Sequence, residues 1–212
     1  MADRPTIEVV TEALGKASER KFTESVELSV NIKELDLTVP KNRIEEEIAL
    51  PHGRGRAVKV AVFGTPELCQ KVKGVADVTI SSAELDEVAK DKKRSKKLAA
   101  QVDFFLAEAP LMPTIGKRLG VVLGPRGKMP RPVPPGTDPS NLVNALKRSI
   151  RVRSRGNRTF HAAVGNRSMP PLEIAANVDA VLGRIVARLE RGRSNIESVY
   201  VKTSMGPSVR LW

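Results

Sequence analysis

The sequence is poor in the residues that support catalysis, metal binding and disulfide formation. It has one cysteine and two histidines among 212 residues, so an internal disulfide is impossible and metal-ligand spacing is absent. No Gly-x-Ser-x-Gly elbow marks a nucleophile, and no Gly-x-Gly-x-x-Gly motif follows a predicted strand. We therefore expect no catalytic residue, no bound metal and no cofactor.

Aromatic residues and long apolar runs are also scarce. Aromatic side chains make up 3% of the chain, which is barely enough for core packing and argues against a surface on which bases stack. No apolar run approaches the roughly 20 residues that cross a bilayer, and the N-terminus lacks the basic start and apolar stretch of a signal peptide. These absences predict a cytosolic protein with no membrane partner.

Acidic residues are nearly missing from the segment between Glu108 and Glu173. It has one, Asp138, against twelve Lys and Arg, and the whole chain carries a net charge of +12. Such a tract is the electrostatic footprint of a polyanion, and the usual cytosolic polyanion is nucleic acid. Its most prominent parts are the basic residues Arg126, Lys128 and Arg131 and an arginine ladder, Arg151, Arg153, Arg155 and Arg158.

The loop Gly124–Lys128 superficially resembles a phosphate-binding loop. A P-loop needs four residues between its glycines, and Ser or Thr after its lysine. Here two residues separate the glycines and Met129 follows Lys128, so nucleotide hydrolysis is not predicted. Cys69 lies in an apparent helix and is expected to be a small core residue. For His161, in a predicted strand, we expect a hydrogen-bonded structural role; His52, in a glycine-rich break, either contacts RNA or turns the chain.

Strands and helices alternate in the middle of the chain. Ala57–Phe63 is a near-continuous apolar run, which is typical of a strand buried on both faces. The alternation predicts a parallel sheet flanked by helices. The further predicted elements are strands over Asp77–Ile80 and Val102–Ala107, helices from Pro66 and over Glu84–Gln101, Leu111–Leu123 and Asn141–Ile150, and a surface loop over Pro125–Pro139.

Both ends of the chain have an α+β pattern instead. The predicted helices there are Pro5–Arg20 and Leu172–Arg191, and the predicted strands are Ser25–Ile32, Asn42–Leu50, Thr159–Val164, Ser198–Thr203 and Pro207–Leu211. The expected fold class is α/β and α+β, with a discontinuous α+β domain built from residues 1–55 and 154–212. A Rossmann-like α/β domain, residues 56–153, is expected to be inserted in it.

Four segments, in this order, make the chain resemble a known family. They are Phe22–Glu27, Leu50–Gly53, Leu119–Pro130 and Thr203–Val209. Together they resemble the large-subunit ribosomal protein one family, the universal protein of the mobile lateral stalk, and the missing N-terminal extension resembles the archaeal branch. The resemblance implies a structural protein that binds 23S-type ribosomal RNA near the transfer-RNA exit site and assists release of deacylated transfer RNA. It also implies repression of translation through its own messenger RNA, and a monomer when free.

The resemblance places the RNA-binding residues in the terminal domain. They are Lys21, Phe22, Thr23, Ser25, Glu27, Arg167, Thr203, Ser204, Met205, Gly206, Pro207 and Ser208. The chain departs from the family pattern twice. Ser204 replaces a threonine and keeps the hydroxyl, and Asn166 stands where a lysine is common, with Arg167 one position later.

Two other classes of function compete with this interpretation. An α/β enzyme that binds a small molecule would need a polar pocket at the carboxyl ends of the middle strands, and no glycine fingerprint or catalytic cluster supports one. A DNA-binding regulator would suit the basic charge, but no helix-turn-helix or zinc module is recognisable.

Overall fold

The computed structural model describes residues 4–134 and 138–212, which form a mixed α/β structure. In these residues the helices are α1 (Thr6–Lys16), α2 (Pro66–Lys71), α3 (Ser82–Lys90), α4 (Lys92–Gln101), α5 (Met112–Leu123), α6 (Ser140–Lys147) and α7 (Pro171–Arg188). The strands are β1 (Ser25–Ile32), β2 (Glu45–Ala49), β3 (Val60–Gly64), β4 (Val78–Ser81), β5 (Phe104–Glu108), β6 (Arg131–Val133), β7 (Ser149–Arg153), β8 (Thr159–Asn166), β9 (Ile196–Thr203) and β10 (Val209–Arg210). Short 3-10 turns occur at Pro40–Asn42, Ala109–Leu111 and Gly192–Asn195. The chain divides into two compact units: unit 1 is Met1–Arg56 with Arg148–Trp212, and unit 2 is Ala57–Lys147.

Unit 1 is built on an antiparallel sheet in the order β10-β9-β1-β8. The prediction of a strand over Ser25–Ile32 is confirmed, and every second side chain of β1 is buried: Val26, Leu28, Val30 and Ile32. This period of two is what a sheet with one covered face requires. Helices α1 and α7 cover that face through apolar side chains that include Val10, Ile174 and Val178.

A buried asparagine in α7 fastens the break after Leu50 to the body of unit 1. The Asn177 side chain is fully buried, and its amide nitrogen donates to the carbonyl oxygens of Gly53 and Val164, both at 2.8 Å. Its carbonyl oxygen accepts from the main-chain N–H of His52 at 3.1 Å. Because buried polar groups are costly unless they are hydrogen-bonded, this satisfied amide fixes the course of Leu50–Gly53, one of the four family-like segments.

Strands β2 and β7 pair antiparallel in a separate ladder. The helix predicted over Asn141–Ile150 ends at Lys147 in the structure, and residues 148–153, which were predicted to belong to the inserted domain, cluster with unit 1. The reason is a change of period. Ile150 and Val152 are buried while the intervening Arg151 is half-exposed, which is the alternation of a strand.

Unit 2 contains a parallel sheet in the order β4-β3-β5-β6, with helices on both faces. Successive residues of β3 enter different cores: Ala61 and Phe63 pack with α3, α4 and α5, whereas Val60 and Val62 pack with α2 and α6. The near-continuous apolar run over Ala57–Phe63 therefore has the predicted cause, burial on both faces. Phe63 stacks on Phe105 of β5 with ring centroids 5.7 Å apart.

Two predictions for unit 2 were wrong in detail. The single helix predicted over Glu84–Gln101 is two helices, because Asp91 adopts an extended conformation and its side chain caps the start of α4. A capping box between Ser81 and Glu84 starts α3. The predicted loop over Pro125–Pro139 contains β6, and residues 135–137 of that loop lie outside the described residues. Within the described ranges, the helices are all too short or too polar to span a membrane.

Candidate nucleic-acid interface

The segment between α1 and β1 exposes three of the candidate residues. Lys21, Phe22 and Thr23 are all exposed, and 57% of Phe22 is accessible to solvent. An aromatic side chain this exposed is unusual in a chain with so few of them, and its burial on binding would be favourable. The segment borders an open depression of about 380 Å³, which is also lined by Arg20, Arg167 and Ser168.

Strand pairing brings the second candidate segment beside the first. β9 pairs with β1 so that Thr203 lies opposite Val26, although Ser25 and Ser204 are 179 residues apart in sequence. The Ser204 main-chain N–H donates to the Ser25 carbonyl oxygen at 3.0 Å. The Ser204 hydroxyl donates to Glu27 Oε1 at 2.8 Å. The two segments therefore form one surface in unit 1.

The turn after β9 presents Met205 on this surface. Its main chain closes with a hydrogen bond from the Gly206 N–H to the Thr203 carbonyl oxygen at 3.2 Å. Met205 is 61% exposed, and Pro207 and Ser208, which follow the turn, are exposed too. Exposed Met205 and Phe22 give the surface two apolar side chains among hydroxyls and charges.

Glu24 is the residue of this surface that the sequence analysis missed. It is 2% exposed, and its Oε1 accepts from the Met205 main-chain N–H at 3.1 Å. Its Oε2 has no hydrogen-bond partner among the described residues and lies 3.6 Å from Nη1 of Arg167. The sequence did contain an indication of this burial. The buried residues of β1 have even numbers, and Glu24, just before the strand, continues that alternation. Glu24 therefore fixes the Met205 turn relative to the start of β1.

The guanidinium group of Arg167 makes hydrogen bonds within the protein. Its Nη1 donates to the Ser18 carbonyl oxygen at 2.6 Å and its Nη2 to the Ala17 carbonyl oxygen at 3.1 Å. Its main-chain N–H donates to the Glu24 carbonyl oxygen at 2.9 Å. These bonds hold the chain leaving α1, which ends at Lys16 instead of the predicted Arg20. The guanidinium thus positions the segment that carries Phe22, and a direct contact with RNA stays a prediction.

The packing around Gly206 leaves no room for a side chain. A Cβ atom there would come closer than 3.0 Å to the Thr203 hydroxyl oxygen and to 3.4 Å from Ala17 Cβ. Thr203 is fully buried, and its hydroxyl has no hydrogen-bond partner among the described residues. The contact between Gly206 and RNA, which the family resemblance implies, stays a prediction beside this internal requirement.

Two of the four arginines in the ladder form ion pairs in the structure. Arg151 pairs with Glu47 at 2.5 Å and Arg153 with Glu45 at 3.0 Å, across the β2–β7 ladder. Glu46, between these two acids, pairs with Arg184 and Arg188 of α7. The tract that lacks acids in sequence thus meets Glu45 and Glu47 in space. The charges of Arg151 and Arg153 are therefore paired within the protein, and a contact of these residues with a polyanion stays a prediction.

The chain is similar to known proteins over nearly its whole length. The sequence profile described as Ribosomal protein L1p/L10e family matches residues 14–207. The chain is 54% identical over 202 residues to the large ribosomal subunit protein uL1 of Thermoplasma acidophilum, covering 95% of this chain and 93% of the relative. It is 49% identical over 212 residues to uL1 of Methanocella arvoryzae, covering 100% of both chains. With uL1 of Pyrococcus horikoshii it shares 48% identity over 206 residues, 97% of this chain and 94% of the relative.

The chain belongs to the ribosomal protein L1p/L10e family. The resemblance seen in four sequence segments is therefore confirmed, as is its archaeal character. The family is structural and non-enzymatic, so the chain is not an enzyme.

The positions of His161 and Cys69 in this L1p/L10e family member do not indicate a reactive or metal-binding role. The His161 side chain is exposed on β8 and makes no hydrogen bond to the described residues, so the expected structural role was wrong. Cys69 is half-buried, and its Sγ lies 3.8 Å from the Gly64 carbonyl oxygen. Burial raises the pKa of the Cys69 thiol, which disfavours the reactive thiolate. Within 4–134 and 138–212, no three His, Cys, Asp or Glu side chains group as metal ligands would.

Proposed function

We propose that this chain is a structural protein of the large ribosomal subunit in the cytoplasm that binds 23S-type ribosomal RNA through the surface of unit 1. The observation that carries the proposal is the pairing of β1 with β9, which joins Phe22–Glu27 and Thr203–Ser208 into one exposed surface. Phe22 and Met205 are exposed there while Glu24 and Arg167 hold the surrounding main chain. A preorganised surface of this kind recognises RNA at low entropic cost.

The test is recognition of RNA by single variants of the whole chain. Phe22→Ala and Met205→Ala should each weaken binding to the lateral-stalk fragment of large-subunit ribosomal RNA by about 1–3 kcal/mol, roughly 5- to 150-fold, the scale for removing a well-packed interface side chain. Leu172→Ala is the matched control, because Leu172 is an apolar residue of unit 1 that is 67% exposed. Binding of both variants at the affinity of the control would refute the proposal.

A second part of the proposal concerns the domains. We propose that unit 1 is the discontinuous α+β RNA-binding domain and unit 2 the inserted Rossmann-like domain, since each unit has its own apolar core. A chain that joins residues 1–56 directly to 148–212 should fold and keep the affinity for the stalk fragment. Specific binding by residues 57–147 alone would contradict this assignment.

The same surface supports two further roles in the proposal. The site lies at the lateral stalk near the transfer-RNA exit site and assists release of deacylated transfer RNA. Repression of the protein's own messenger RNA follows if that messenger carries a structure like the stalk, because one surface then binds either RNA. The stalk fragment should compete with the messenger for the protein, and added protein should repress translation of that messenger in vitro. Phe22→Ala should relieve the repression, and unrelieved repression would remove this role.

A further inference from the structure

The first half of α4 carries a dense cluster of cations. Five of the six residues from 92 to 97 are basic, and the helix has no acidic residue in its first turn. We call four of them, Lys92, Lys93, Lys96 and Lys97, the α4 lysines. All four are exposed, and their ammonium groups have no ion pair or hydrogen bond with any residue that the structure describes. The fifth, Arg94, lies 3.9 Å from Glu87.

These cations lie at the N-terminus of α4, where positive charge destabilises a helix. The N-terminus of a helix is the positive end of its dipole, where acidic and not basic side chains are stabilising. Lys92 and Lys96, and likewise Lys93 and Lys97, are like charges four residues apart, an arrangement that destabilises a helix. Sequences that break a local rule in this way commonly do so at functional sites.

The helix nevertheless holds its place because its other side is well anchored. The Asp91 carboxylate accepts from the Lys93 main-chain N–H at 2.8 Å. Ser95 is 3% exposed and its hydroxyl donates to the Val88 carbonyl oxygen at 2.5 Å. At the other end, Lys128 Nζ donates to the Ala99 carbonyl oxygen at 2.9 Å. The main chain under the α4 lysines is therefore fixed while their side chains face solvent.

We propose that the α4 lysines form a second RNA-contacting surface, on unit 2, that binds the phosphate backbone without reading sequence. Ammonium groups bind phosphate as compact point charges, and residues four apart on a helix are separated by about 6 Å along its axis. Residues 92–97 contain no aromatic side chain that could stack on bases. The proposal goes beyond the proposed function, which assigns recognition to unit 1.

An anionic membrane is the less favoured partner. A helix that lies on a membrane buries an apolar face among the lipids. In α4 the apolar side chains Leu98 and Ala99 already pack in the core of unit 2 with α3 and α5. The exposed side offers charge alone, which suits the highly charged backbone of RNA.

The test compares two full-length variants with the same net charge. One is K92Q/K93Q/K96Q/K97Q, and the control is K59Q/K71Q/K73Q/K117Q, which neutralises four exposed lysines elsewhere on unit 2. Affinity for the stalk fragment and for an unrelated RNA hairpin is measured over a range of salt concentrations. The α4 variant should bind both RNAs more weakly by a similar factor, with a salt slope smaller by about 0.7–0.9 for each phosphate that the lysines no longer neutralise. The control should change the slope by less than the value for one phosphate.

Three other results of these binding measurements would overturn the proposal. Equal slopes for the two variants would show that net charge alone matters, and weaker binding confined to the stalk fragment would show sequence-specific recognition. Unchanged RNA slopes, with loss of binding to phosphatidylserine vesicles, would show a membrane partner. Because the Phe22 and Met205 variants test unit 1 separately, either proposal can fail while the other stands.

Thermal unfolding without RNA gives an independent readout. Because the substitutions remove repulsion, the α4 variant should unfold at a temperature about 1–4 °C higher than the original chain. Higher stability together with weaker RNA binding is the expected signature. A lower unfolding temperature would show that the lysines stabilise the fold, and would overturn the argument that they are retained for binding.

Discussion

The turn from Thr203 to Gly206 permits a direct test of how the RNA surface is packed. Gly206→Ala places a Cβ atom closer than 3.0 Å to the Thr203 hydroxyl oxygen, which is buried and without a hydrogen-bond partner among the described residues. Thr203 is fully buried, so the hydroxyl has little room to move away. We expect Gly206→Ala to destabilise unit 1 by about 1–3 kcal/mol, the usual cost of overpacking a core.

The companion substitution removes the clash. Thr203→Ala deletes the hydroxyl, and the next atom that the new Cβ would meet is Ala17 Cβ at 3.4 Å, which is ordinary contact. The double variant should therefore recover most of the stability, and the coupling energy between the two substitutions should be about 1–3 kcal/mol. Thr203→Ala alone should have a small effect, because deleting an unsatisfied hydroxyl offsets the lost packing.

Urea unfolding measured by tryptophan fluorescence is the assay. Trp212 is the chain's sole tryptophan and packs against the core of unit 1, so its emission reports on that unit. Additive effects of the two substitutions, or an unchanged stability of Gly206→Ala, would refute the packing argument. RNA affinity of the double variant then isolates the second role: weak binding by a stable double variant shows that RNA approaches the backbone at Gly206.

Three other substitutions or modifications test separate contacts. Glu24→Gln removes a buried charge that faces the partly exposed Arg167, and should cost about 1–3 kcal/mol of unit 1 stability. A double-mutant cycle with Arg167→Gln that shows no coupling would contradict this. Lys128→Met should cost about 1–3 kcal/mol in unit 2, because its Nζ donates to the Ala99 carbonyl oxygen at the end of α4; hydrogen exchange of α4 no faster than before would count against it. Since burial raises the pKa of the Cys69 thiol, its thiolate fraction at any given pH is below that of a free cysteine. The rate of its reaction with a disulfide reagent should therefore rise at a higher pH than the rate for free cysteine. A midpoint of this pH profile equal to or below that of free cysteine would contradict the raised pKa.

Local pattern was sufficient to predict most elements because their causes are local. The alternation over Ser25–Ile32 identified β1, and the apolar run over Ala57–Phe63 identified a strand buried on both faces. The predicted helix boundaries were wrong where the sequence pattern is compatible with two structures. Asp91 lies inside a helical pattern, yet its side chain ends one helix and caps the next. At Ile150 a helical pattern passes directly into a strand pattern, and no glycine or proline marks the change.

The site was predictable only in part, since its members come from distant parts of the chain. The exposed residues Phe22 and Met205 were found through their resemblance to family motifs, whereas Glu24 was missed. Its role depends on a main-chain N–H at residue 205 and on a guanidinium at residue 167. No periodicity links these three positions, and the β1–β9 pairing brings two of them together.

Charge was the least reliable guide to function in this chain, because sequence does not show which charges are paired. The arginines at 151 and 153 attracted attention for their lack of neighbouring acids, but strand pairing places Glu47 and Glu45 against them. The lysines at 92 to 97 lie close to acids in sequence, at Glu87 and Asp91, and yet their ammonium groups have no ionic partner among the described residues. Asp91 explains the difference, since its carboxylate accepts from the main chain of α4. We therefore expect the charge that is available to RNA to lie where nearby acidic side chains already cap a helix, as Asp91 does.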